Sequence, residues 1–135
     1  MNRLGIYIHW PYCISKCPYC DFNSHKLKIY DPNEWLSAYK NQIKYFKKYL
    51  TIQNFKNTKL NSIFFGGGTP SLMQPKLVEQ ILLFINKLFN FDKNIEITLE
   101  SNPTNLELKK ISDFKSAGVN RISLGVQGLN DNDLK

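Results

Sequence analysis

Three cysteines crowded near one end of the sequence are the side chains best suited to chemistry. Cys13, Cys17 and Cys20 follow a C-x3-C-x2-C spacing, and they are all the cysteines of the chain. An odd number of clustered thiols makes a poor disulfide framework, and such clustering points instead to metal binding or catalysis. Thiolates are ligands that both iron and zinc accept.

The spacing alone leaves two metal sites open. A structural zinc ion normally has four protein ligands, and His9 or His25, the only histidines, could supply the fourth. A [4Fe–4S] cluster usually takes four cysteines, so three cysteines leave one iron able to bind a substrate or cosubstrate. We favour the cluster. The alternatives are a zinc site and cysteines that bind no metal.

The composition indicates one ordinary globular domain. The chain has 135 residues, of which 42% are hydrophobic, and a formal net charge of +7. The lysines are dispersed and no base-reading motif accompanies them, so we interpret the charge as a solvated surface and expect no nucleic-acid partner. No apolar run reaches about 18 residues and the N-terminus lacks a signal peptide. We therefore expect a cytoplasmic protein without a membrane span.

Strands and helices alternate along the sequence. Short β-branched and aromatic runs predict strands, capping signals and apolar periodicity predict helices between them, and prolines keep the cysteine segment irregular. The predicted strands are Gly5–His9, Ser62–Phe65, Ile95–Leu99 and Arg121–Leu124, and the predicted helices run from Pro32 to about Leu50, from Pro75 to Phe89, and from Thr104 to Gly118. This order predicts an α/β fold with parallel strands.

The ends of the predicted strands carry the polar and glycine-rich features. The cysteines follow the first strand, Gly66-Gly67-Gly68-Thr69-Pro70 follows the second, and Glu100 and Gln127 follow the third and fourth. Function collects at the carboxyl ends of parallel strands in such folds. Four features at four strand ends therefore predict one composite site.

The cysteine spacing after a first strand, with Tyr19 just before the last cysteine, resembles the radical S-adenosylmethionine (SAM) superfamily. The resemblance implies a [4Fe–4S] cluster on Cys13, Cys17 and Cys20. It also implies SAM as cosubstrate at the open iron, with reductive cleavage to a 5′-deoxyadenosyl radical. The implied fold is a partial (β/α)6 barrel, of which this chain is the N-terminal portion.

The resemblance also implies a set of SAM contacts, each with a simpler structural explanation. The glycines could form only a flexible turn, Glu100 could cap a helix, Gln127 could be a surface amide, and Tyr7 could pack in the core. We predict no residue as catalytic, and the predicted cofactor-binding residues are Tyr7, Tyr19, Gly67, Gly68, Thr69, Glu100 and Gln127.

Four motifs in order are similar to the oxygen-independent coproporphyrinogen III oxidase group. They are YIHWPYCISKCPYCDFNS, FFGGGTPSLM, EITLESNP and GVNRISLGVQ. The oxidase branch has a further cysteine two positions after the third one, where this chain has Phe22. The CDFNS form resembles the HemW-type haem chaperone branch, which we favour. The alternatives are the oxidase of porphyrin biosynthesis and a non-catalytic metal-binding or inactive truncated fragment.

The resemblance further implies that residues 1–135 are the N-terminal part of the radical SAM core, without the later strands and the C-terminal haem-binding region. We expect SAM cleavage from the full-length form and little or none from this chain. The implied partners are haem or a porphyrin, a haem-accepting protein and an electron donor.

Overall fold

The computed structural model describes residues 3–53 and 59–133. A single-turn 3-10 helix at Pro70–Leu72 lies between the fourth strand and the second α-helix. The elements in chain order are β1 (Arg3–Trp10), β2 (Tyr12–Cys13), β3 (His25–Lys26), α1 (Pro32–Ile52), β4 (Lys59–Gly67), α2 (Pro75–Leu88), β5 (Phe91–Ser101), α3 (Asn105–Leu108), α4 (Ile111–Ser116) and β6 (Arg121–Leu124).

The main sheet is parallel throughout, as the alternation of elements predicts. Its strand order is β1-β4-β5-β6, so strands that follow one another around a helix also lie side by side. All three pairings are parallel. Within the described residues this sheet is open, with β1 and β6 at its two edges. The predicted α/β class is confirmed.

Helices α1 and α2 cover the sheet and begin where the sequence predicts. Pro32 occupies the first turn of α1, and the Asp31 carboxylate accepts a 2.8 Å hydrogen bond from the Asn33 backbone N–H, which satisfies one of the free donors of a helix N-terminus. Pro75 begins α2. The helix α2 buries an apolar face that matches the predicted periodicity: Leu77, Val78, Ile81, Leu82 and Ile85.

The helix predicted from Thr104 to Gly118 is instead two short helices, α3 and α4. The Glu107 carboxylate accepts from the Asn102 backbone N–H at 2.8 Å, and the Lys110 N–H bonds to the Glu107 carbonyl in a tight turn that separates the two helices. Gly118 ends α4 with a φ of 111°, a conformation that glycine adopts without strain. That end was predicted correctly.

The cysteine segment is more ordered than its prolines suggest. The strands β2 and β3, which lie on either side of the cysteine segment in the sequence, pair in parallel, with Tyr12 opposite His25 and Cys13 opposite Lys26. The Leu27 N–H also bonds to the Cys13 carbonyl at 2.7 Å. The segment is therefore a loop closed at its base. We refer to residues 14–24 as the cysteine loop.

A group of aromatic rings in edge-to-face and tilted contacts connects β1 to α1. Trp10 is fully buried, and the Tyr39 hydroxyl donates to the His9 carbonyl at 2.7 Å. These contacts fix the end of β1 from which the loop departs. The rings belong to Trp10, Tyr12, Tyr30, Trp35 and Tyr39.

The apolar core lies between the sheet and the helices. Leu60, Ile63 and Phe65 of the central strand β4 are fully buried, as is Leu99 of β5. Among the described residues, no helix combines the length and the apolar character that a membrane crossing requires.

Ile63→Ala tests the core. Deleting buried methyl groups from a central strand removes hydrophobic transfer energy and leaves a cavity, so we expect a loss of about 2–5 kcal/mol in the free energy of unfolding. Ile29→Ala is the matched control because Ile29 is fully exposed, and it should change stability by less than about 0.5 kcal/mol. Urea denaturation monitored by circular dichroism measures both, and equal values would contradict the described packing.

Candidate metal centre and adjoining cleft

The three cysteines lie on one loop at the carboxyl end of the sheet. Cys13 ends β2, and Cys17-Pro18-Tyr19-Cys20 forms a turn closed by a 3.1 Å bond from the Cys20 N–H to the Cys17 carbonyl. A turn of this kind brings its first and fourth α-carbons within about 7 Å of each other. All three thiols are free, Cys17 is exposed, and Cys13 and Cys20 are half-buried.

The thiols suit an iron–sulfur cluster by their chemistry rather than by a preformed cage. Across residues 3–53 and 59–133, no three His, Cys, Asp or Glu side chains converge closely enough to hold a metal ion as they stand. Exposed thiols can change rotamer without disturbing the core, and thiolates are the ligands of [4Fe–4S] clusters. His9, a candidate zinc ligand, already bonds through Nε2 to the Asn23 carbonyl at 3.1 Å.

The glycine-rich segment is hydrogen-bonded to the residues that precede Cys13. The Gly68 N–H donates to the Trp10 carbonyl at 2.7 Å, and the Thr69 N–H donates to the Tyr12 carbonyl at 2.8 Å. These bonds extend the β1–β4 pairing beyond its last register pair, Trp10 with Gly67. The carboxyl ends of β4 and β1 are therefore joined through their backbones.

Neighbouring protein groups leave little space for a side chain at the three glycines. A Cβ on Gly66 would lie 2.8 Å from the Tyr7 ring, and one on Gly68 would lie 2.6 Å from the Tyr12 carbonyl oxygen. Gly67 has a φ of 118°, and its Cβ would lie 2.6 Å from the His9 ring. The groups that approach the glycine backbone closely belong to the chain itself.

A cleft of about 200 Å³ brings together four of the predicted SAM contacts. It lies where β4, β5 and β6 end, and Phe22 of the cysteine loop forms part of its wall. Ligand pockets usually measure about 300–1,000 Å³, so this cleft can enclose only part of a molecule of SAM's size. Its lining residues are Phe22, Gly68, Thr69, Glu100, Ser101, Asn102, Ser123, Gly125 and Gln127.

Glu100 connects the cleft to the glycine segment. Its Oε2 accepts a hydrogen bond from the Gly67 N–H at 3.2 Å. Tyr7 lies close enough to feel its charge: burial, and then the negative charge of Glu100, raise the pKa of the Tyr7 phenol. The carboxylate therefore places negative charge in a half-buried position beside the cleft.

The remaining predicted contacts lie outside the cleft lining. Gly67 does not line the cleft, but its N–H donates a hydrogen bond to Glu100, which does. Tyr7 lines a separate apolar groove between β1 and α1. Tyr19 is 69% exposed on the cysteine loop. A hydrogen bond to the Cys17 thiol raises the pKa of the Tyr19 phenol. The structure places Tyr7 beside Glu100 but outside the cleft lining, and it leaves Tyr19 on the exposed cysteine loop.

Several lining residues were not predicted from the sequence. Ser123 is paired in register with Glu100, so strand pairing places it at the level of the cleft. Asn102 directly follows β5, and its position is fixed by the bond from its N–H to the buried Glu107. The signal that could have identified them is the rule that side chains in register on adjacent parallel strands are neighbours.

Comparisons with known proteins agree with this arrangement. The radical SAM superfamily matches residues 7–135. The heme chaperone HemW of Haemophilus influenzae is 42% identical, covering 98% of this chain and 34% of that protein. HemW of Buchnera aphidicola subsp. Schizaphis graminum is 41% identical, with the same two coverages. The chain thus spans about a third of the length of the curated relatives it matches.

A solved structure gives the same result for the fold. Coproporphyrinogen III oxidase (HemN) from Escherichia coli, described as a radical SAM enzyme, aligns with a TM-score of 0.79 and 25% identity. The alignment covers 95% of this chain and 29% of that one. The similarity confirms the predicted relation to a partial radical SAM (β/α) fold, as an open parallel sheet with alternating helices.

Gly67→Ala tests the glycine packing. A side chain at this φ and against the His9 ring should lower the free energy of unfolding by about 1–3 kcal/mol. Gly125→Ala is the control, since its Cβ would meet its nearest neighbour at an ordinary 3.5 Å, and should cost less than about 1 kcal/mol. Thermal and urea unfolding measure both variants, and a fully stable Gly67→Ala would contradict the close approach.

Glu100→Gln tests the electrostatics of the cleft. Removing the negative charge makes the Tyr7 phenolate less unfavourable, so the Tyr7 pKa should fall toward its usual value while burial keeps part of the elevation. A pH titration by NMR of ¹³C-labelled tyrosine, assigned with Tyr7→Phe, measures the shift. Glu96→Gln, which removes an exposed carboxylate of β5, should leave the Tyr7 pKa unchanged. An equal shift in both variants would refute the pairing.

Proposed function

The chain belongs to the radical SAM superfamily, in the group of the HemW heme chaperones and coproporphyrinogen III oxidase, and we propose that it forms the cluster- and SAM-binding part of a haem chaperone. The observation that carries this proposal is the cleft in which Gly68, Thr69, Glu100 and Gln127 meet beside the cysteine loop. The haem cargo is proposed from the HemW relatives.

Cys13, Cys17 and Cys20 are the residues that would hold a [4Fe–4S] cluster. When bound, the cluster supplies the electron that cleaves the sulfonium of SAM, at an iron that the three thiolates leave open. The protein contributes the closed base of the loop, where the Cys13 carbonyl accepts from the Leu27 N–H. It also contributes the turn that keeps Cys17 near Cys20.

The backbone N–H groups of the glycine segment are not available as hydrogen-bond donors to a ligand. The N–H groups of Gly67, Gly68 and Thr69 already bond to Glu100, Trp10 and Tyr12. Phosphate-binding glycine loops need free N–H groups, so this segment is poorly suited to a phosphate. Carbonyl oxygens beside a carboxylate suit a cationic group, and SAM carries an ammonium and a sulfonium.

Glu100 and Gln127 have separate roles in this proposal. The Glu100 carboxylate, held by the Gly67 N–H, would attract the cationic end of SAM or accept from its ribose hydroxyls. The Gln127 amide, which also lines the cleft, would hydrogen-bond the nucleoside. Neither side chain moves a proton in this scheme, because both serve to bind and orient the cosubstrate.

The second candidate function is oxidation of coproporphyrinogen III, which the similarity to HemN favours. Against it stands Phe22 on the cysteine loop, at the position where the oxidase branch has a further cysteine. Phe22 is 66% exposed and lines the cleft, so this wall is apolar and has no additional thiol. We therefore prefer the haem chaperone.

The two candidates differ in what happens to the tetrapyrrole. After anaerobic cluster reconstitution, the natural gene product that contains residues 1–135 should bind haemin and transfer it to apomyoglobin, measured as a change in the Soret band. Given coproporphyrinogen III, SAM and dithionite, it should release no carbon dioxide above a control without SAM. SAM-dependent decarboxylation without haem transfer would overturn the chaperone proposal and establish the oxidase.

A further inference from the structure

Two of the three cysteines lie at the two ends of one tight turn, and we propose that Cys17 and Cys20 form a reversible disulfide when the loop holds no cluster. The pair is thus a redox modification site, and its oxidant is a small-molecule disulfide such as oxidised glutathione. The pairing itself does not depend on the proposed function. Its consequence, that oxidation prevents cluster uptake until a reductant restores the thiols, rests on that function.

The turn sets the separation of the two cysteines. The 3.1 Å bond from the Cys20 N–H to the Cys17 carbonyl closes a four-residue turn, and the end α-carbons of such a turn lie within about 7 Å. Disulfides join residues whose α-carbons are about 4.4–6.8 Å apart. Pro18 stands at the second turn position, where proline presets the backbone. The turn therefore holds the two cysteines at a separation that a disulfide can span.

Both thiols of the turn are accessible and free to react. Cys17 is exposed, Cys20 is half-buried, and neither is bonded to another cysteine. The side chains between them, Pro18 and Tyr19, are exposed as well, so the two cysteines can change rotamer without disturbing the core. Exposed disulfides are the labile ones that thiol reductants open readily. The bond should therefore form and break reversibly.

Cys13 is fixed outside this turn. It is paired with Lys26 where β2 meets β3, and its carbonyl accepts a 2.7 Å bond from the Leu27 N–H. Three residues separate Cys13 from Cys17, and among the backbone bonds of the described chain none closes that stretch. Of the three pairings that three cysteines allow, the structure therefore favours Cys17 with Cys20 and leaves Cys13 as a free thiol.

The oxidation is a thiol–disulfide exchange in two steps. The exposed Cys17 sulfur attacks one sulfur of oxidised glutathione, which forms a mixed disulfide and releases one glutathione. The Cys20 sulfur then attacks the Cys17 sulfur, which forms the bond within the turn and releases the second glutathione. The two cysteines lose two electrons, oxidised glutathione gains them, and the two thiol protons leave on the released glutathione molecules. A dithiol reductant reverses both steps.

The disulfide and the cluster compete for the same sulfur atoms. Iron–sulfur clusters are held by thiolates, and a bonded Cys17–Cys20 pair would leave Cys13 as the single thiol of the loop. Oxidation therefore prevents cluster uptake. It also keeps the two paired sulfurs from the sulfinic and sulfonic acids that cannot be reduced back by thiols. The loop would thus load a cluster after reduction and would be protected when oxidised.

Peptide mapping tests the pairing on cluster-free protein that has been reduced, desalted and exposed to oxidised glutathione. Trypsin cleaves after lysine and arginine, so Cys13 falls in the peptide of residues 4–16, whereas Cys17 and Cys20 share the peptide of residues 17–26. After alkylation without reductant, mass spectrometry should find the first peptide alkylated and the second unlabelled, lighter by its two thiol hydrogens. Linkage between the two peptides, or alkylation of both, would overturn the proposal.

Single cysteine variants test the order of the steps. Cys20→Ser should stop at a glutathione adduct on Cys17, because the second attacking sulfur is absent. Cys13→Ser is the matched control and should form the disulfide as the parent chain does. A glutathione adduct that persists in the parent chain as it does in Cys20→Ser would show that the turn does not bring the two sulfurs together, and would overturn the proposal.

Cluster transfer tests the consequence for metal uptake. A cluster-loaded carrier protein, without added thiol, is mixed with the reduced protein, with the oxidised protein, and with oxidised protein that has been reduced again and desalted. Iron and sulfide analysis should find a cluster in the first and third samples and none in the second. Equal uptake by the oxidised sample would overturn the competition alone. Reduced protein that takes up no cluster would overturn the proposed function, and the peptide map would still decide the pairing.

Discussion

Two backbone hydrogen bonds hold the candidate site together. Beyond the last paired residues of β1 and β4, the Gly68 N–H bonds to the Trp10 carbonyl and the Thr69 N–H bonds to the Tyr12 carbonyl. They place the glycine segment next to the residue before Cys13, and so place the cleft next to the cysteine loop. Their geometry needs residues without side chains, because a Cβ on Gly67 or Gly68 would overlap His9 or Tyr12.

This constraint explains the chemistry available in the cleft. Because the N–H groups of Gly67 and Gly68 bond inside the protein, the half-buried Glu100 carboxylate is the charged group that lines the cleft.

The sequence was sufficient to predict the four strands of the main sheet and the helices α1 and α2, since strand and helix periodicities are local and the capping signals at Asp31, Pro75 and Gly118 act within a few residues. The short strands β2 and β3 were not predicted. The split into α3 and α4 was missed because the tight turn between them, in which the Lys110 N–H bonds to the Glu107 carbonyl, has no glycine or proline to mark it in the sequence. The cleft was predicted at Gly68, Thr69, Glu100 and Gln127 because parallel strand ends meet at one edge.

Other features of the site depend on pairing that the sequence does not display. Ser123 is recognised as a lining residue only from its register with Glu100. The packing reason for the triple glycine needs the positions of the Tyr7 and His9 rings.

The most direct measurement is metal and sulfide analysis of the anaerobically reconstituted chain, followed by EPR of the dithionite-reduced protein with and without SAM. Three thiolates with one open iron predict about four iron and four sulfide ions per chain, and a spectrum that changes when SAM is added. One zinc ion without sulfide, or a cluster whose spectrum ignores SAM, would contradict the account.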